Sequence, residues 1–138
     1  MATSRLTVRS KEREELVDCT RPVQAEVGAT GLKEGICFVY CEHTTAGLTL
    51  NENADPDVRR DMLLALRHLI PVAGWPSEGD AFRHFEENAD AHLKASLMGF
   101  ALTIPILGGR LALGRWQAIY LAEFDGPRER SILVQVMG

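Results

Sequence analysis

Apolar and polar residues alternate at both ends of the chain and recur at helical spacing in its middle, a pattern that predicts strands flanking helices. Leu6-Thr7-Val8 reads as a short strand, Lys11 to Glu14 as a charged turn, and Glu15 to Asp18 as the returning strand of a hairpin. Thr20 ahead of Arg21-Pro22 predicts a helix start, since threonine caps and proline suits the first turn; that helix ends near Gly31. Ile36 to Glu42 is dense in β-branched and aromatic residues and uncharged before Glu42, which predicts a central strand buried on both faces. Ala46 to Leu50 is a second extended segment, so His43-Thr44-Thr45 falls at a bend between the two.

From Asp55 the period changes. Asp55 is a good cap, Pro56 fits the first helical position, and Val58, Met62, Leu66 and Leu69-Ile70 recur with helical spacing until Pro71 ends the run. Val72 to Glu86 has no clear period and reads as a long surface loop. A further helix starts near Asn88 to Asp90 and runs to Gly99. Alternation returns in Ala101 to Ile106, and after the Gly108-Gly109 turn Leu111, Leu113, Trp116 to Phe124 and Ser131 to Val136 predict at least three more strands. The sum is a single α+β domain with a mixed or mostly antiparallel sheet and two to three helices.

Composition narrows the function. A chain of 138 residues is the size of one domain, and 15 basic against 19 acidic side chains give no broad positive field, which argues against nucleic acid as a partner. No stretch approaches the roughly 20 apolar residues that span a bilayer, and Met1 to Ser10 lacks a signal peptide's apolar core, so the expectation is a cytoplasmic protein without a membrane partner. Cys19, Cys37 and Cys41 form no CxxC pair; on a strand Cys37 and Cys41 share a face with Val39, which predicts buried thiols in a reducing compartment.

The tetrapeptide Glu-Asn-Ala-Asp occurs twice, at Glu52 to Asp55 and at Glu87 to Asp90, each time ahead of a helical pattern. Either copy caps its helix, or the two helix starts face each other and offer N–H groups to a phosphate, with Asn53 and Asn88 orienting it and Asp55 and Asp90 capping or holding magnesium. His43, His84 and His92 come from three different elements; they line a polar pocket, or with a water they form a catalytic zinc site. His68 belongs to a surface helix. Glu123 interrupts an apolar run on the face of Leu121 and Ile119, so a partly buried carboxylate there suits a proton acceptor, while Arg128 and Arg130 suit bidentate phosphate binding or a surface salt bridge. No GxGxxG, P-loop or GxSxG is present.

His43-Thr44-Thr45-Ala46-Gly47-Leu48, Asn51 to Pro56, Asn88 to Ser96, and Leu113-Gly114-Arg115-Trp116-Gln117 through Asp125-Gly126-Pro127-Arg128 together resemble the YjbQ family over nearly the whole chain. The resemblance implies a compact α+β fold, a homotrimer, and a pocket near a subunit boundary. It also implies secondary thiamine-phosphate synthase activity, joining a phosphorylated thiazole to a pyrimidine pyrophosphate. The matching positions are His43, Asn53, Asp55, His84, Asn88, Asp90, His92, Lys94, Glu123 and Arg128, with a metal at the histidines. Two positions depart from the family pattern: Arg115 stands where threonine is common, placing a positive charge near the expected pocket, and Glu87 stands where glycine is frequent.

The expected function is therefore an enzyme for a small phosphorylated metabolite. Thr44, Thr45, the helix starts, Arg128 and Arg130 hold pyrophosphate, Lys94 or a histidine-bound zinc or magnesium neutralises the leaving group, and His43 or Glu123 moves protons. No organic cofactor is expected. The competing expectations are a metal-dependent hydrolase built on His43, His84 and His92, and a non-catalytic protein that binds a phosphorylated metabolite or a metal.

Overall fold

A computed structural model describes residues 1–138. In chain order the elements are β1 (Ala2–Arg9), β2 (Glu15–Asp18), α1 (Thr20–Thr30), β3 (Glu34–Cys41), β4 (Ala46–Glu52), α2 (Pro56–Leu69), β5 (Gly74–Trp75), β6 (Asp80–Ala81), α3 (Ala89–Met98), β7 (Ala101–Leu107), β8 (Arg110–Leu111), β9 (Gln117–Glu123) and β10 (Glu129–Met137). They form an α+β domain whose strand pairs are all antiparallel. A five-stranded sheet runs β1-β10-β3-β7-β8, and a three-stranded sheet runs β2-β9-β4.

The three-stranded sheet is the middle layer. Its Ala46, Leu48, Ile119 and Leu121 join Val23 and Val27 of α1 against Val39, Ile104, Ile132 and Val134 of the large sheet. Its other face carries Ala118, Tyr120 and Ala122 against Leu66 of α2 and Ala91 and Ala95 of α3. Each large aliphatic side chain so buried contributes roughly 1.5–3 kcal/mol. Gly47 lets α3 lie close on β4, since a Cβ there would meet the Gly99 carbonyl oxygen at 2.6 Å.

Two expectations about the strands need correction. β1 and β2 are not a hairpin: β1 pairs with β10 and β2 with β9, so the charged turn carries the chain from one sheet to the other. The strand buried on both faces is β9, where Ala118 to Glu123 are all buried between the layers, whereas β3 buries Cys37, Val39 and Cys41 and exposes Ile36 and Tyr40. A continuous apolar run marked both strands, and only the neighbouring layer decides which is covered twice.

The local capping rule holds at α2 and fails at α1. Asp55 caps α2, its carboxylate accepting from the Asp57 N–H at 2.9 Å, and Pro56 opens the helix. Thr20 does not cap α1; its hydroxyl accepts from the Ile119 N–H at 2.8 Å and ties the helix to β9. The loop from Val72 contains the small β5–β6 ladder, with Trp75 and Phe82 edge to face at 5.7 Å. No helix is long and apolar enough to cross a membrane.

Candidate functional site

Chain reversals of the two main sheets and the start of α3 meet around a pocket of about 430 Å³ lined only by polar and charged residues. The bend after β3 supplies Glu42, His43, Thr44 and Thr45, and the β9–β10 connection supplies Asp125, Arg128 and Arg130. His84, Glu86, Asn88 and His92 close it from the long loop and α3.

Its floor is a buried ion pair. Glu123 and Arg130 are both buried; the guanidinium grips both carboxylate oxygens, Nε to Oε1 at 2.8 Å and Nη2 to Oε2. The Ser10 hydroxyl donates to Oε1 at 2.7 Å and the Asp125 N–H to Oε2 at 3.0 Å. Burial on its own raises the Glu123 carboxyl, but these hydrogen bonds and the Arg130 charge outweigh it and hold the group below its ordinary value. Glu123 is thus a fixed anion with its lone pairs occupied, which corrects the expectation of a proton acceptor. Arg130 is anchored further by donating to the Thr45 hydroxyl at 2.9 Å.

Above this floor Asp125 organises the rim. Its Oδ2 accepts from Asn88 Nδ2 at 2.8 Å and from Arg128 Nη2 at 3.0 Å. Asn88 therefore does not cap α3, and its Oδ1 is buried with no hydrogen-bond partner. A buried carbonyl left without a donor costs on the order of 1–3 kcal/mol.

His43 accepts a hydrogen bond at Nε2 from the Ser131 N–H at 2.9 Å, so the neutral ring carries its proton on Nδ1. Burial lowers its pKa, the positive charge of Arg130 lowers it further, and the ring stays neutral at neutral pH. His84 and His92 lie edge to face with centroids 5.5 Å apart. These residues do not fit the expected three-histidine zinc site: the Nε2 lone pair of His43 is occupied, and no group of three His, Cys, Asp or Glu is arranged around a common point.

Several expected site residues lie elsewhere. Asn53 lines a separate pocket with Arg59 and Tyr120, its Oδ1 accepting from Arg59 at 3.0 Å, and Asp55 is an exposed cap; within one chain the two helix starts do not share a pocket. Asp90 and Lys94 are fully buried and bonded to each other at 2.8 Å, with Arg13 on Asp90 and Glu14 on Lys94. They fasten α3 to the turn after β1 and are closed to substrate, magnesium or leaving group. Arg115 stacks over Trp116 at 4.7 Å and does not line the polar pocket. All three cysteines are buried free thiols; burial pushes Cys19 up to about 12 and Cys37 up to about 11.

The sequence reading missed Ser10 and the pivotal Asp125. Asp125 had a signal, being a carboxylate beside Arg128 in a Gly-Pro turn; Ser10, 113 positions from Glu123, had none.

The family model described as UPF0047 protein YjbQ-like matches residues 4–138. The chain belongs to the YjbQ-like family. Among its YjbQ-like relatives, UPF0047 protein YugU of Bacillus subtilis is 46% identical over 133 residues, covering 96% of this chain and 97% of the relative. A UPF0047 protein of Methanocaldococcus jannaschii is 47% identical, covering 95% and 91%. The crystal structure of a YjbQ/UPF0047 family protein from Clostridium acetobutylicum superposes with a TM-score of 0.90 at 42% identity, covering 97% of this chain and 99% of that one. Glu87 sits at a left-handed φ of 59°, a region glycine enters without steric cost, so the backbone accounts for a glycine at this position and nothing in the structure explains the glutamate.

Proposed function

We propose that the chain is an enzyme for a small phosphorylated metabolite, with thiamine-phosphate synthase chemistry at the His43–Arg128 pocket. The ring nitrogen of a phosphorylated thiazole attacks the exocyclic carbon of a pyrimidine pyrophosphate. The C–N bond forms as the C–O bond breaks, and pyrophosphate departs with the electron pair. The observation that carries this reading is the wholly polar pocket, into which separate segments bring hydrogen-bond donors.

Charge counting sets the character of binding. Arg130 is matched by Glu123, Arg128 by Asp125 and Glu42 by Arg5, while Glu86 on the pocket wall has no paired cation, so an anion is held by directed N–H groups rather than by a positive field. Half-exposed Arg128, the Nδ1–H of His43 and the start of α3 are those donors. His43 donates to the oxygen that gains charge as the C–O bond breaks and does not take up a proton at Nε2. The affinity for an anion is accordingly modest.

Synthase assays on the His43→Ala, His92→Ala and Arg128→Ala variants test the reading: each loses turnover, by about tenfold or more. Full turnover in all three sinks it, and stoichiometric ligand uptake without product assigns a binding protein instead.

In this reading the chain works in the cytoplasm as a homotrimer. Support for the assembly comes from the outer face of the five-stranded sheet, where Ile36, Tyr40 and Leu107 are exposed beside partly exposed Phe38, Leu133 and Met137. Sedimentation of Tyr40→Asp checks it, with a smaller species expected than for the parent.

A further inference from the structure

We infer that the ligand of the polar pocket is a zwitterion, a phosphate and an amine joined by a short link, with the amine seated against Glu86 and Asn88. The inference deepens the reading of this pocket as a phosphate site and rests on it.

A site that captures anions by charge holds more cations than carboxylates, and this one does not. The two arginines that line it are each matched by a carboxylate of the protein, Arg130 by Glu123 and Arg128 by Asp125, and Glu42 is matched by Arg5. What remains is the carboxylate of Glu86, which lines the pocket without an ion-pair partner. A phosphate entering alone meets that uncompensated negative charge, and a ligand that brings a positive charge of its own relieves it.

Asn88 independently calls for a hydrogen-bond donor. It is only 6% exposed, lines the same pocket, and its Oδ1 has no partner. Its Nδ2 donates to Asp125 Oδ2 at 2.8 Å, and flipping the amide would set oxygen against carboxylate, so the unpaired atom is fixed as an acceptor. An unprotonated phosphate oxygen cannot satisfy it, whereas an N–H can. Asp125 Oδ2 receives Asn88 at 2.8 Å and Arg128 at 3.0 Å, so the residue that needs a donor and the residue that offers one to a phosphate adjoin through a single oxygen. A short link between phosphate and amine spans them. A metal ion answers the description less well than an amine, because no three His, Cys, Asp or Glu side chains converge to hold it.

Amide-detected NMR titrations at neutral pH with ethyl phosphate, phosphoethanolamine and phosphocholine test the inference on the parent chain and on Glu86→Gln. The expected result is phosphoethanolamine binding at least about tenfold tighter than ethyl phosphate, the size of one charge-assisted hydrogen bond. Phosphocholine, which carries the charge without an N–H, falls between the two. Glu86→Gln narrows the gap by weakening phosphoethanolamine and not ethyl phosphate. Shifts at Thr44 and Arg128 with equal affinities for ethyl phosphate and phosphoethanolamine overturn the inference and leave the phosphate reading in place, as does a gap unchanged in Glu86→Gln or phosphocholine binding as tightly as phosphoethanolamine. Ethyl phosphate brought level with phosphoethanolamine by added magnesium assigns the positive charge to a metal and also overturns it. If no phosphate moves Thr44 or Arg128, the phosphate reading falls and the inference falls with it.

Discussion

The same four residues, Glu-Asn-Ala-Asp, meet opposite fates at the starts of α2 and α3. In the first copy Asp55 is exposed and caps its helix, and Asn53 accepts from Arg59 beside the Tyr120 hydroxyl. In the second, Asp90 is sealed against Lys94 and Arg13, and Asn88 gives its amide to Asp125 in place of capping. Even the backbone differs, with Glu87 left-handed. Local sequence makes both segments competent to begin a helix; what packs on them decides whether the polar groups serve the helix, the core or a ligand. The copy that gives up its cap is the one beside the candidate site.

The largest way to separate the copies is to remove one charge from each. Lys94→Met leaves Asp90 and Glu14 short of a buried partner and is expected to destabilise the fold by about 3–5 kcal/mol in chemical denaturation. Asp55→Ala removes a solvent-exposed cap and should cost only about 1 kcal/mol. Similar losses in the two variants would erase the distinction.

Acid sharpens the same contrast from the side of the pocket. Glu123 has its pKa depressed in the fold, so its stabilisation is complete above the ordinary value of 4.5 and is lost as pH falls through the folded value. His43, also depressed, is neutral in the fold and protonates more readily when unfolded, so its contribution is full above 6.5 and declines below it. Both terms make stability fall with acidification, and Glu123→Gln should flatten the lower part of the curve in pH-dependent denaturation. A curve unchanged by that substitution would contradict the fixed-anion role of Glu123.

The smallest effect concerns the backbone. Glu87→Gly relieves a left-handed φ but loosens the unfolded chain, and the two terms nearly cancel, leaving a gain of at most about 1 kcal/mol in thermal unfolding. A clear loss would mean that the Glu87 side chain, rather than its backbone, holds the loop.

These fates also explain how far the sequence could be read. The Asp55 cap and the alternation of Ile132, Val134 and Val136 depend on neighbours within a turn or a strand, so spacing alone revealed them. The clustering of His43, His84, His92, Arg128 and Arg130 was legible as chemistry that needed a common place, and the polar pocket brings these five together. Asp90 was only partly legible: Lys94 stands one turn on in the same helix, but Arg13 is 77 positions away and the burial of the group leaves no periodic trace. The same blindness turned β1 and β2 into a hairpin: each strand's alternation was visible, but its choice of sheet was not. Lys94 looked like a phosphate ligand for the same reason, since a lysine near a helix start is usually exposed and this one is sealed by Glu14 from the turn after β1.

In the proposed function the α3 copy, and not the α2 copy, marks a phosphate site. Titration of the labelled protein with inorganic pyrophosphate, followed by backbone amide shifts, separates the two. Saturable shifts are expected at Thr44, Asn88, His92 and Arg128, absent in Arg128→Ala, with Asn53, Asp55 and Arg59 unmoved. Shifts confined to the start of α2, or none at either helix start, would contradict that reading.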